Sequence, residues 1–396
     1  MVFLALLGAI FGVILAEYLI YKKYGYSGLS YSVSFGSDEV FEGDDVYLFE
    51  EISNRGRLPL PYVRSDTNLP EGLRFFIFEE KNGKAKTNLT GYIQSIFMLR
   101  SGATVKRRWR VRCLGRGEYT LTGVIIGTTD LFGLFRGTRE LEFSADRCPK
   151  LTVLPSTMSL SDNFTSSKYL CGDIVSNICP VTDPLRICGA REYMPGDPVN
   201  RINWKSSASH GCLMVNSEER TVRHRFNIVL NMNSREIEQY PDRPSDSFAV
   251  ERSIKVVASI LDRVATEDIP VRLIVNSSCG ENEMFSPVSD DASGEKIMMS
   301  EPFRGREDML SALRAIAALK LSISLPAEKM FDHISENPDL YRDSENLIIV
   351  SPYIDQRMLN LYPLMRNFGV NVIYYVTSTR REAILPDDVD IYFLNC

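Results

Sequence analysis

The stretch SDSFAVERSIKVVASILDRVATEDIPVRLIV, residues 245–275, decides how the second half of the chain folds. Val250, Ile254, Val257, Leu261 and Val264 recur at helical spacing, so 245–266 reads as an amphipathic helix with one buried face. Val271 to Val275 is a short apolar run after a proline, which reads as a strand. The alternation extends both ways. Phe226 to Leu230 reads as a buried strand, Glu307 to Leu319 as a helix, and Asn346 to Val350 as a further strand. A helix capped by Asp355 runs to Phe368, contains Pro363 and stops at Gly369, and Val370 to Val376 follows as a strand. Strands apolar on both faces, alternating with helices, predict a parallel sheet covered on both sides. Residues 225–396 are therefore expected to form one α/β domain.

Upstream the period changes. Across 31–155, short alternating runs such as Val46 to Phe49, Phe75 to Phe78, Tyr92 to Leu99 and Arg108 to Arg112 are broken by turn residues. Gly115, Gly117, Gly123 and Gly127 punctuate the next pair. This spacing predicts a β-sandwich of immunoglobulin-like shape, a scaffold or docking surface with no catalytic set in it. Residues 156–224 join the two domains, and 156–184, rich in Ser, Asp and Asn, reads as a surface linker. The whole is an α+β multidomain chain.

Residues 2–21 are apolar apart from Glu17 and the tyrosines near it. As a helix they are about 30 Å long, enough for one transmembrane crossing. Lys22 and Lys23 follow, which by the positive-inside rule keeps the body on the cytoplasmic side of a single-pass membrane protein. The Asn-x-Ser/Thr sequons at Asn88, Asn163 and Asn276 would then stay unused.

At 396 residues and 44% hydrophobic, the chain is long enough for two cores, and its formal charge of −6 argues against nucleic acid as a partner. The eight cysteines form no C-x-x-C pair, and their scatter suits a reducing compartment. Only His210, His224 and His333 offer imidazoles, and none stands beside a nucleophile motif. No catalytic residues are assigned, and no enzyme activity is expected.

The richest local pattern is 191–215. Pro195-Gly196 marks a turn, Asp197 reads as a helix cap, and Pro198 fits the first helical position. The helix is expected to reach about Ser209 with Gly211 as its stop, and Cys212 to Val215 as a strand with a packed thiol. Arg191, Tyr193, Asp197, Arg201, Trp204 and Lys205 then admit two readings. One is a structural lock, with Tyr193 and Trp204 packed between the domains; the other is an anion or partner-reading site at the helix start.

Arg191, Tyr193, Gly196, Asp197, Arg201, Ile202 and Trp204 also carry a resemblance to the family called domain of unknown function 58. Residues 129–136, Thr-Asp-Leu-Phe-Gly-Leu-Phe-Arg, resemble its second motif. The resemblance implies a membrane-anchored chain with a von Willebrand factor A-like C-terminal half, partnered by a MoxR-type AAA+ ATPase. Magnesium-binding von Willebrand A domains carry D-x-S-x-S after the first strand. Here the loop is Asn231-Met232-Asn233-Ser234-Arg235, with an amide for the carboxylate and a cation for the last serine, so no metal or cofactor is expected. The function implied is a non-enzymatic interaction or adaptor protein. The alternative is a metal-dependent adhesion or ligand-binding module in cell-envelope biogenesis.

Overall fold

The structure is a computed structural model. It describes the chain except residues 1, 82–83, 135, 145–147, 159–180, 195–201, 222–224, 266–268, 279–283, 289–295, 342–343, 345, 378–388 and 395–396, and except the side chains of 2, 4–5, 78–81, 84–87, 181–191 and 216–221. Two compact units emerge: Met1–Thr157 with Ala312–Leu319, and Met158–Ser311 with Lys320–Cys396.

The first unit opens with helix α1 (Val2–Tyr24), then β1 (Leu29–Phe35), β2 (Glu39–Phe41), β3 (Asp45–Asn54), β4 (Leu60–Asn68), β5 (Leu73–Lys81) and β6 (Lys84–Thr90). Strands β7 (Tyr92–Leu99), β8 (Thr104–Cys113), β9 (Gly117–Thr120), β10 (Gly123–Thr129), β11 (Arg136–Glu142) and β12 (Lys150–Leu154) complete it. Among the described residues they form sheets ordered β1-β3-β8-β5-β6, β11-β10-β4-β7 and β2-β12-β9. The two larger sheets are antiparallel throughout. Alternation is the cause: in β7 every second residue (Ile93, Ser95, Phe97, Leu99) is buried and those between are exposed. The inward sides of both sheets share their cores, Ile52 of β3 with Val63, Phe97 and Ile126 of the facing sheet, and Leu48, Phe75 and Val111 with Ile93. This is a β-sandwich.

A carboxylate sits inside it. Glu50 is 3% exposed, and its Oε1 accepts from Ser65 Oγ at 2.5 Å and Tyr31 OH at 3.0 Å. Its Oε2 accepts from Ser95 Oγ at 3.0 Å and Trp109 Nε1 at 3.1 Å. A carboxylate so deep is tolerated because every oxygen has donors. Burial, then the Glu50 charge, pushes the Tyr31 phenol well above its usual range.

Helix α1 is joined to the sandwich at its last turns. Tyr21 is 3% exposed, lies in the Ile52–Phe97 core, and donates from its OH to the Pro59 carbonyl at 2.8 Å. Toward its start the helix presents Phe3, Leu6, Leu7, Ile10, Phe11 and Val13 to the outside, all more than half exposed. Among the described residues no helix is long and apolar enough to cross a membrane. The expected span over 2–21 falls within α1, whose charged residues are Glu17, Lys22 and Lys23.

The segment Ala312–Leu319, grouped with this unit, is the end of helix Arg306–Ala318 and the residue after it. Arg116, buried, donates from Nη1 to the carbonyls of Ile316, Ala317 and Leu319 at 2.7, 3.0 and 3.0 Å. Helix ends leave carbonyls without intrahelical partners, and a guanidinium is well suited to collect them.

In the second unit, β13 (Val181–Glu192) pairs antiparallel with β14 (Met214–Thr221), and helix α2 (Trp204–His210) lies between them in sequence. The surface linker expected through Pro184 therefore ends sooner: residues from Val181 onward are strand, because a partner strand takes up their backbone groups. The rest comprises β15 (Phe226–Leu230), α3 (Ser247–Ala265), β16 (Val271–Val275), β17 (Phe285–Pro287), β18 (Met298–Ser300), α4 (Arg306–Ala318), α5 (Ala327–Glu336), β19 (Asn346–Ser351), α6 (Gln356–Asn367), β20 (Asn371–Val376) and β21 (Asp390–Phe393). The sheet order is β17-β18-β16-β15-β19-β20-β21, parallel from β16 to β21, with the β17–β18 hairpin antiparallel at one edge.

The helical stripe read from the sequence holds. Val250, Ile254, Val257, Leu261 and Val264 are each 0% exposed, and α3 contacts β15 and β19. Helices α5 and α6 pack with Val229, Ile349, Val372 and Tyr374 into one core. Asp355 caps α6 through Met358 N–H at 2.8 Å, and Gly369 after it has φ 79°, the left-handed region.

Candidate functional site

Strand β15 is flanked by the parallel strands β16 and β19, so the chain order reverses there, and the crevice beyond the strand ends is where such sheets place ligands. Asn231, Asn233 and Ser234 follow β15, Asn276 follows β16, and Ser351 ends β19. Asn231, Asn276 and Ser351 are 0%, 0% and 2% exposed, and Asn233 is 5%.

Their polar atoms are spent on one another. Asn231 Nδ2 donates to Ser351 Oγ at 3.0 Å, and Asn231 Oδ1 accepts from Asn233 N–H at 3.0 Å. Asn276 Oδ1 accepts from Met232 N–H at 2.8 Å, while its Nδ2 donates to Asn233 Oδ1 and the Leu325 carbonyl, each at 2.9 Å. The sequon asparagine at 276 is therefore a buried strut. A carboxylate of the loop after β15 is also engaged. Glu238 accepts from the backbone N–H of Ser234, Arg235 and Ser245, and from Ser234 Oγ. Among the described residues no group of three His, Cys, Asp or Glu side chains is gathered to hold a metal. A hard divalent ion needs oxygen ligands, several of them anionic. An amide lattice already saturated by hydrogen bonds offers few.

Asp355, 6% exposed, borders the same crevice. Burial raises its carboxyl pKa, outweighing the Met358 N–H bond and the Arg357 charge that pull it down. Tyr353 beside it is pushed upward in the same way, first by burial and then by the Asp355 charge.

The 191–215 pattern folds differently from its reading. Helix α2 starts at Trp204, and its cap is Asn203, whose Oδ1 accepts from Ser206 N–H at 3.0 Å. The expected cap Asp197 lies outside the described residues, with Gly196 and Arg201. Asn203 caps because its extended backbone (φ −87°, ψ 90°) turns the side chain onto the first free N–H groups. The stop is as expected: Gly211 has φ 71° and donates to the Ser207 carbonyl.

Trp204 is 67% exposed. Tyr193 is half-buried, and its N–H donates to the Leu213 carbonyl at 2.8 Å. Arg191 sits opposite Val215 in the hairpin, and Lys205 is exposed. Cys212 is exposed rather than packed, since the strand begins after it at Met214. Met194 and Leu213 join Trp204 as exposed apolar side chains on this segment.

A second surface escaped the sequence reading. On the outer face of β3 and β8 the register pairs Asp45 with Arg112, Tyr47 with Arg110, Phe49 with Arg108, and Glu51 with Lys106. Arg108 lies 4.6 Å over the Tyr47 ring, and Arg110 and Arg112 lie 4.7 and 5.3 Å over Phe76. Tyr47 and Phe49 stay 45% and 43% exposed. Arginine stacked on exposed aromatics is the composition of protein-binding hot spots. The alternation Lys106-x-Arg108-x-Arg110-x-Arg112 was the available signal.

No family model matches the chain. No curated protein matches it in sequence. Among solved structures, it is similar over 32% of its length to a CARDB domain from Pyrococcus furiosus, at 12% identity, 87% coverage of that chain and TM-score 0.19. A cohesin module of a Clostridium perfringens family 33 glycoside hydrolase gives 10% identity, 32% of this chain, 98% of that chain and TM-score 0.21. The sporulation control protein Spo0M of Bacillus subtilis gives 11% identity and TM-score 0.18, over 32% of this chain and 49% of that one. At these scores the likenesses carry no assignment of function.

Proposed function

We propose that this chain is a membrane-anchored interaction protein in which α1 is the anchor and the two units are docking modules. The observation that carries this is the state of α1. Its outer turns expose Phe3 (76%), Phe11 (67%) and Val13 (64%), while its last turns are built into the sandwich core through Tyr21. A row of bare apolar side chains rigidly joined to a folded body calls for an apolar cover, and at 23 residues the helix is about 34 Å long, matched to a bilayer core. Lys22 and Lys23 at its end favour a cytoplasmic body.

The second unit is a von Willebrand factor A-like domain with a degenerate metal loop, a reading supported by the strand order around β15 and by the amide lattice at its mouth. The resemblance supplies a MoxR-type AAA+ ATPase as the partner, and the arginine–aromatic face of the sandwich is a surface on which a partner can dock.

Alkaline carbonate washing of membranes tests the anchor. The chain is expected to stay in the pellet, with its sandwich protected from protease added to intact cells. Release into the wash, or cleavage in intact cells, overturns the reading. Purification from detergent extracts that repeatedly lacks any such ATPase sinks the partnership.

A further inference from the structure

After β10, residues 130–134 carry three neighbouring apolar side chains that the sandwich does not use. Leu131, Phe132 and Leu134 are 59%, 63% and 56% exposed. The turn that presents them is fixed: Gly133 has φ 72° and donates its N–H to the Asp130 carbonyl at 3.3 Å. The loop is tied to the helix, with Leu131 N–H donating to Glu17 Oε1 of α1 at 3.0 Å. Leu131 therefore stands level with Glu17. From Glu17 back to Lys22 the helix rises about 7.5 Å, so the loop lies well over one turn closer to the helix start than the lysines do. Behind the tip, Arg136 and Arg139 of β11 are exposed.

From this we infer that the 131–134 loop is a second membrane contact, dipping Leu131, Phe132 and Leu134 into the interfacial layer of a phospholipid bilayer beside the anchor helix. Lipid is the occupant because the loop is continuous with α1, whose own exposed side chains are apolar from Phe3 to Ile20. With Lys22 and Lys23 at the headgroups, the tip reaches the acyl boundary. The bond from Leu131 also gives the Glu17 carboxylate a donor at a depth where water is scarce. The contact would fix how the sandwich is tilted on the bilayer, a restraint that one helix alone does not supply.

The inference rests on α1 being the anchor, so its test carries a reporter for each. The full chain bearing Phe132→Trp is reconstituted in phosphatidylcholine vesicles with acyl chains brominated either near the headgroup or near the chain end. Trp109 and Trp204 supply a constant background, read from the parent chain. The added emission is expected to fall about twofold with bromines near the headgroup and less with deep ones. Leu134→Trp, at another exposed position, should behave alike. A Phe11→Trp chain reports on the helix. A loop signal no more quenched than the parent, with Phe11→Trp quenched, overturns the loop contact alone. Absence of quenching at both overturns the loop and the anchor together.

Discussion

The Glu50 carboxylate and the Trp109 indole meet inside the sandwich, Nε1 donating to Oε2 at 3.1 Å, between two sheets whose other facing residues are mostly apolar. Three hydroxyls share the same carboxylate. Glu50→Ala is expected to lose about 3 kcal/mol or more, because it strands buried donors on several strands at once. Trp109→Phe removes one donor and is expected to cost about 1–2 kcal/mol. Urea unfolding of both variants, followed by circular dichroism, checks the order. A Glu50→Ala chain as stable as Trp109→Phe would contradict the network.

Arg116 holds three carbonyls at the end of helix Arg306–Ala318. Arg116→Met keeps most of the stem and removes the donors, with an expected loss of about 2–3 kcal/mol. Hydrogen exchange should show the last turn of that helix opening more readily while α3 is unaffected. Equal protection of that turn in parent and variant would show the bonds to be dispensable.

At the crevice, Asn276→Ala deletes an acceptor and two donations from a site with no water-facing alternative. A loss of about 2–4 kcal/mol is expected. Millimolar magnesium is expected to leave the parent melting temperature unchanged, since the oxygens there are already bonded. A clear rise would favour the metal-dependent adhesion reading.

Asp355 gives a signed pH dependence. Its folded-state pKa lies above the ordinary value because burial disfavours the charge. Its contribution is thus fully present below the unfolded pKa and is lost as pH rises through the folded one. Asp355→Asn keeps a cap acceptor and drops the charge, so its stability relative to the parent should climb across that window and then level. Asp355→Ala loses the cap and is expected to cost about 1 kcal/mol in acid. Denaturant midpoints against pH for the three chains decide it; a flat difference for Asp355→Asn removes the desolvation argument.

Trp204 and Asn203 separate recognition from stability. Trp204→Ala should change stability by no more than about 0.5 kcal/mol, its ring being exposed, whereas Asn203→Ala should cost about 1 kcal/mol through the cap. If Trp204→Ala also weakens capture of a partner, the segment reads partners. A Trp204→Ala chain that melts several degrees lower would favour the structural lock.

Much of the second unit was legible because its signals are local. Phe226–Leu230 and Val271–Val275 fall on the strands as read, and the stripe from Val250 to Val264 is the buried face of α3. Helix α5 and the hairpin β17–β18 were not legible: α5 is short, and the hairpin strands have three residues each, too few for a period to declare itself. That Asn203 caps α2 was not legible, since Asp197 and Asn203 are equally good cap residues in isolation.

By itself the sequence determined the strand and helix periods, the apolar N-terminal helix and the Gly211 and Gly369 stops, all properties of one residue and its near neighbours. Only the tertiary structure decided that Glu50 is a buried hub, that Trp204 faces outward, that Arg108 stacks on Tyr47, and that Leu131 is tethered to Glu17. Three of those join residues distant in the chain and the fourth is a matter of exposure; burial and partnership across such distances are set by packing, which no local pattern encodes.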